Sequence, residues 1–101
     1  MFQPLEGVRV FDLSQVLAGP YATYQLALMG AEILKIEQPG TGDWTRVGGA
    51  LPELAERHMA LGFLTHNAGK KSVTLNLKTA EGLEIARTLA ATAGVFVENF
   101  K

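Results

Sequence analysis

The sequence predicts an α/β fold in which a βαβ core sits in a largely parallel sheet. Three observations carry this reading. An apolar run of strand length, residues 8–13, leads into a helix bracketed by Gly19–Pro20 and Gly30; a second apolar run, residues 31–37, follows that helix directly; and two further strand patterns are separated by another helical stripe. Strands joined through a helix pair in parallel, because the crossover returns the chain to the same end of the sheet.

The first strand, VRVFDL, stops at the polar pair Ser14 and Gln15. Proline is tolerated at the first helical position, where its missing N–H has no intrahelical partner anyway, so Pro20 marks a start and Gly30 the matching stop. Within this helix Ala22, Leu26 and Met29 share one face and Tyr21, Tyr24 and Leu28 another, leaving only Thr23 and Gln25 clearly polar. A helix apolar nearly all round is expected to be buried on more than one side. Its second cover is either a neighbouring layer of the same chain or a second subunit.

After the second strand, residues 38–56 carry Pro39, Gly40, Gly42, Gly48, Gly49 and Pro52, a long connection that reads as a functional lid or as a segment ordered by a partner. Residues 58–66 fit a short helix with Met59, Phe63 and Leu61 or Leu64 inward, although Gly62 weakens it. NAGKK reads as a turn. Val73, Leu75 and Leu77 then alternate with Thr74 and Asn76, the period of a strand with one wet face. Thr79 is placed to cap a helix with Glu81 in its first turn and Leu83, Ala86, Ala90 and Ala93 as its apolar stripe, ending at Gly94. Residues 95–97 are expected to form a buried strand, directly before the chain stops at Lys101.

Composition limits the function. An apolar fraction of 48% with 19% charged residues describes a folded chain, and at 101 residues it is one domain at most, with a modest core. Nine basic against ten acidic side chains give no field to recruit nucleic acid or an anionic membrane, so any anion site is local. The absence of cysteine excludes disulfides, thiolate metal sites and a thiol nucleophile, and the expected setting is the cytoplasm. No segment approaches the roughly 20 apolar residues of a membrane span, and the N-terminus has no export signal pattern.

The residues that could carry chemistry are few. Neither a G-x-G-x-x-G nor a G-x-x-x-x-G-K-[ST] follows the first strand, so the usual phosphate cradles of dinucleotide and P-loop proteins are missing. His58 and His66 stand eight apart with no carboxylate at metal spacing. Asp12, at the end of the first strand, reads either as a base or nucleophile or as the acceptor of backbone N–H groups in the next turn. Ser14 has no adjacent activating histidine. Lys70, Lys71 and Lys78 could meet a phosphorylated ligand, or could form a solvated basic edge that discourages aggregation.

Taken together and in register, FDLSQVLAGPYAT, GAEILKIEQPGTGD, NAGKKSVTLNLKTAEG and VFVENF resemble the N-terminal region of the class III CoA-transferases, the CaiB/BaiF family. The resemblance covers essentially the whole chain. It implies a Rossmann-like domain that binds coenzyme A, incomplete relative to the family's full interlocked fold, and a homodimer that would use the apolar helix of residues 20–29. Carried over by position, the coenzyme A contacts fall at Val16, Leu17 and Ala18, at Gln38, at Leu75, Asn76, Leu77 and Lys78, and at Asn99 and Phe100. Where the formyl-CoA branch has glutamine and arginine this chain has Leu17 and Gln38, which removes two of that branch's side chains and speaks against a formate or oxalate substrate. The family's aspartate nucleophile, and the His and Asp pair of its racemase branch, lie downstream of the matched region. The resemblance therefore implies the binding portion of an enzyme that uses an acyl-CoA and a carboxylic acid acceptor, inactive alone. A non-catalytic coenzyme A-binding or assembly module, or the same portion of an acyl-CoA racemase, stands as the alternative.

Overall fold

The structure, a computed structural model, describes residues 2–101. Strand β1 (Arg9–Asp12), helix α1 (Ala18–Leu28) and strand β2 (Glu32–Glu37) form the expected βαβ unit. A 3-10 turn (Trp44–Arg46), a single-turn helix α2 (Pro52–Ala55) and helix α3 (Leu61–Asn67) lead to β3 (Lys71–Thr74), and α4 (Ala80–Ala91) returns the chain to β4 (Val95–Val97). All strand pairs are parallel and the order is β3-β2-β1-β4. The chain thus walks outward from β1 to β3 and then crosses back to the other side of β1. That reversal opens a crevice at the carboxyl ends of β1 and β4, the place where open α/β sheets receive ligands.

The two sheet faces have different chemistry. On one, Phe11, Leu13 and Ile36 pack with Ala86 of α4, joined by Val73, Leu75, Leu77 and Leu89. On the other, Val10, Ile33 and Ala31 pack with Leu26 and Ala27 of α1. Because side chains alternate along a strand, Asp12 and Lys35 follow Val10 and Ile33 onto the α1 face and are buried there.

Local signals set several ends as expected. Gly30, at φ 99°, closes α1, and the Thr79 hydroxyl caps α4 by accepting from Gly82 N at 3.0 Å, with Glu81 in the first turn. Gly82 also lets α4 sit directly on the Asn76 carbonyl, where an added Cβ would collide.

Other expectations are corrected. Residues 38–56 are not a bare loop, since the 3-10 turn and α2 lie within them. The helix expected from His58 starts at Leu61, because His58 takes a left-handed conformation (φ 57°) that no helix continues through. Only Phe63 of its expected core residues is buried; Met59, Leu61 and Leu64 are exposed. Strand β3 begins two residues before the alternating run, although its ladder reaches Leu75, whose N–H donates to Glu37 O at 3.0 Å. Strand β4 is not buried: it is an edge strand, and Phe96 stacks on Phe11 (centroids 5.4 Å apart) while remaining 57% exposed. In α1 the buried positions are Pro20 and the polar Thr23, whereas Tyr21 (53%) and Leu28 (56%) face outward. Among the described residues no helix is long and apolar enough to cross a membrane.

Candidate functional site

The strand-end rim is held in place by buried charge. Lys35, 1% exposed, donates to Asp43 Oδ2 (2.8 Å) and to the Ser14 carbonyl (2.9 Å), tying the loop after β2 to the turn after β1. Asp43 also accepts from Thr45 N and Oγ1 and from Val16 N. Beside it, Arg46 forks onto Glu37 through Nε (2.7 Å) and Nη2 (2.6 Å), and Glu37 further accepts from Asp43 N and Ser72 Oγ. Burial pushes the Asp43 and Glu37 carboxyls up, but the hydrogen bonds from Lys35 and Thr45 to the first, and from Arg46, Asp43 N and Ser72 to the second, leave both below their ordinary values.

Asp12 is the second anchor. Its carboxylate, fully buried, accepts from Ser14 N (2.8 Å), Ser14 Oγ (2.5 Å) and Thr23 Oγ1 (2.6 Å), with Lys70 Nζ at 3.5 Å. Of the two readings of Asp12, the turn acceptor is the observed one. Lys70 also donates to Pro20 O (3.0 Å) and Asn67 Oδ1 (2.8 Å), so it is a structural cation and not a ligand contact. The three candidate lysines therefore part company. Lys71 pairs with Glu32 at the surface (2.8 Å), and Lys78 makes no ion pair among the described residues. Ser14 is consumed as a donor to Asp12, and no group of three or more metal-ligating side chains exists among the described residues.

Around this base the expected contact residues gather from separate strand ends. Gln38, Leu75, Asn76, Leu77, Lys78 and Phe100 line one cleft of about 250 Å³ together with Leu13, Gln15, Ile36 and Glu37. Val16, Asn99 and Phe100 line an adjoining cleft of about 330 Å³ with Gln15, Trp44 and Lys101, at the crevice between β1 and β4. Leu17 and Ala18 line neither; they open α1, where Leu17 is the N-cap and offers no side-chain cap.

The polar side chains of this set mostly shape backbone. Asn99 accepts from Gln15 N (3.1 Å) and donates to Gln15 O (2.8 Å), continuing the β1–β4 pairing with an amide. Asn76 accepts from Lys78 N (3.0 Å), turning the chain into α4. Gln38 donates to Thr41 Oγ1 (2.7 Å). Val16 sits at φ 73°, a costly conformation for a β-branched residue, and its N–H bond to Asp43 helps to hold it there. Such strain concentrates in ligand-binding turns.

Sequence reasoning missed Lys35, Asp43, Glu37 and Arg46, which read as ordinary polar interruptions of a strand and a glycine-rich loop. It also passed over Trp44. The only available signal was charge inside an apolar strand, in EILKIE.

Two outcomes are expected from the buried cluster. Asp43→Asn leaves Lys35 without its counter-charge and should cost about 3–5 kcal/mol in urea denaturation. Burial, aided by the like charge of Lys35 and opposed by Asp12, lowers Lys70 from its ordinary 10.5 to about 8. Between these values the unfolded chain binds the extra proton, so stability should rise from about pH 8 to 10.5 as the buried charge is relieved. Lys70→Met should lack that rise in melts taken across the window.

Comparison with known proteins agrees with this fold. The sequence pattern of CoA-transferase family III matches residues 5–101. Among curated relatives, succinyl-CoA:glutarate CoA-transferase of Mus musculus is 48% identical over 98 residues, covering 97% of this chain and 22% of that protein. Formyl-CoA:oxalate CoA-transferase of Escherichia coli is 44% identical over 100 residues, covering 99% and 23%. The chain thus spans less than a quarter of these relatives' length. Among solved structures, a CaiB/BaiF family protein from Brucella suis superposes with a TM-score of 0.87 at 37% identity, covering 100% of this chain and 27% of that one. The D175A mutant of Rv3272 from Mycobacterium tuberculosis does so at 0.84 and 41%, covering 98% and 26%. With the family pattern running from residue 5 to residue 101 over the same Rossmann-like sheet, this chain belongs to CoA-transferase family III.

Proposed function

We propose that this chain is the N-terminal, coenzyme A-binding portion of an acyl-CoA:carboxylate CoA-transferase and that transfer depends on residues outside it. The observation that carries the reading is the convergence of Gln38, Leu75, Asn76, Leu77, Lys78 and Phe100, from three strand ends, on one cleft where Lys78 makes no ion pair among the described residues. The cleft's other charged group, Glu37, is already neutralised by Arg46, so the lining suits an anion. The names of both relatives pair an acyl-CoA with a carboxylate, glutarate or oxalate. When bound, coenzyme A supplies the thiol that carries an acyl group as a thioester. Lys78 would then meet a phosphate, and the backbone beyond β3, shaped by Asn76, would hold the nucleotide end.

Dependence on residues elsewhere has its own support. The chain has two aspartates, Asp12 and Asp43, and both are buried and bound by several donors, so neither can attack a thioester. A cytoplasmic setting belongs to the same reading, supported by the lack of cysteine. So does a homodimer through α1, supported by the outward Tyr21 and Leu28 with Leu61 and Leu64 on neighbouring α3.

Calorimetry should find coenzyme A binding to the purified chain, weakened about tenfold by Lys78→Ala; unchanged affinity in that variant would remove the assigned site. The same protein should not exchange coenzyme A between succinyl-CoA and glutarate, and measured turnover would overturn the dependence on outside residues. Sedimentation should show concentration-dependent self-association that Tyr21→Asp suppresses. A monomer at every concentration would refute the dimer.

A further inference from the structure

The chain's one tryptophan stands on the most firmly held part of the strand-end loops. On one side of it Asp43 is fixed by Lys35 and by its own bonds to Thr45. On the other, Arg46 clamps Glu37 and lies 3.8 Å from the Phe63 ring centroid. Yet the Trp44 side chain itself is 71% exposed. Tryptophan is highly buried on average and carries one of the largest apolar surfaces of any residue. A rigid base that holds this surface in water keeps it ready for something that docks there.

Position narrows what that is. Trp44 lines the 330 Å³ cleft with Val16 and Phe100, and Phe100 also lines the neighbouring cleft where Lys78 stands. Of the polar groups in the Trp44 cleft, the Asn99 amide and the Gln15 backbone bond each other, and Lys101 completes the lining beside the apolar walls. An extended ligand whose phosphate meets Lys78 must pass Phe100 to reach Trp44. Its phosphate end and its far end are thereby separated, and the apolar walls of Val16, Phe100 and Trp44 are left to meet hydrocarbon in the far one. Val16 and Trp44 are also coupled, because Val16 N donates to the carboxylate of Asp43, the residue next to Trp44.

Resting on the coenzyme A reading above, we propose that Trp44 is a specificity-determining residue whose indole packs against the acyl end of a bound acyl-CoA thioester. The indole favours thioesters with apolar acyl surface over free coenzyme A, and Asp43 is the positioning residue that sets its place. The test titrates the chain, Trp44→Ala and Trp44→Phe with coenzyme A and with hexanoyl-CoA, by calorimetry and by indole emission. Hexanoyl-CoA should bind the parent chain more tightly and shift its emission to the blue. Trp44→Ala should lose about tenfold in hexanoyl-CoA affinity and less than about twofold for coenzyme A, while Trp44→Phe retains most of both. Circular dichroism of Trp44→Ala should match the parent chain, since an exposed side chain is removed. Equal weakening of both ligands would mean that the indole touches the nucleotide end, and unchanged affinities would mean that it touches neither; each overturns the proposal and leaves the coenzyme A reading standing. A folded parent chain that binds neither ligand overturns both.

Discussion

The ion pair between Lys35 and Asp43 is the constraint on which the rest of the strand-end architecture depends. An ammonium between a sheet and a helix is tolerated only with a counter-charge and further acceptors, because the cost of dehydrating it alone is several kcal/mol. Lys35 finds these in Asp43 and in the Ser14 carbonyl. Satisfying one buried charge therefore fixes two loops at once, the turn after β1 and the loop after β2. Asp43, so fixed, holds the N–H of the strained Val16 and starts the 3-10 turn that carries Trp44 and Arg46. Arg46 closes the arrangement by returning to Glu37 on β2.

This gives the two sheet faces separate tasks. The α4 face is apolar, and the alignment of Phe11, Leu13, Ile36 and Ala86 is what makes the sheet and α4 one body. The α1 face is apolar only at its amino end; toward the carboxyl end Asp12, Thr23, Lys35 and Lys70 replace hydrocarbon with a satisfied polar network. A polar network is orientationally exact where an apolar one is not, since each donor and acceptor has a direction. Through the Lys35–Asp43 pair the network positions Val16 and Trp44, which lie on connections that hydrophobic contact alone would leave loosely placed.

The family relationship fits this division. The chain spans less than a quarter of the two transferases compared above, and what it contains is the sheet and the strand-end rim at which coenzyme A binding is proposed. Its acidic side chains near that rim are all committed to holding loops. Asp12 illustrates why a carboxylate at a strand end is not a nucleophile by location alone: four donors converge on it and water is excluded.

The sequence by itself determined the βαβ unit, its parallel sense, the helix stop at Gly30 and the cap at Thr79, because each rests on signals within a few residues: apolar periodicity, a glycine able to adopt positive φ, a hydroxyl facing an open N–H. The motifs also identified the family. Only the tertiary structure decided that β4 is an exposed edge, since three apolar residues look alike on an edge and in a centre, and that the Lys70 side chain is internal while Lys78 is exposed. It alone revealed that Lys35 and Glu37 of EILKIE are buried, because their partners Asp43 and Arg46 arrive from a glycine-rich loop whose path local preferences leave open. The clefts share that origin: Gln38, Lys78 and Phe100 follow three different strands, and parallel pairing with α4 crossing the sheet is what brings those strand ends to one rim.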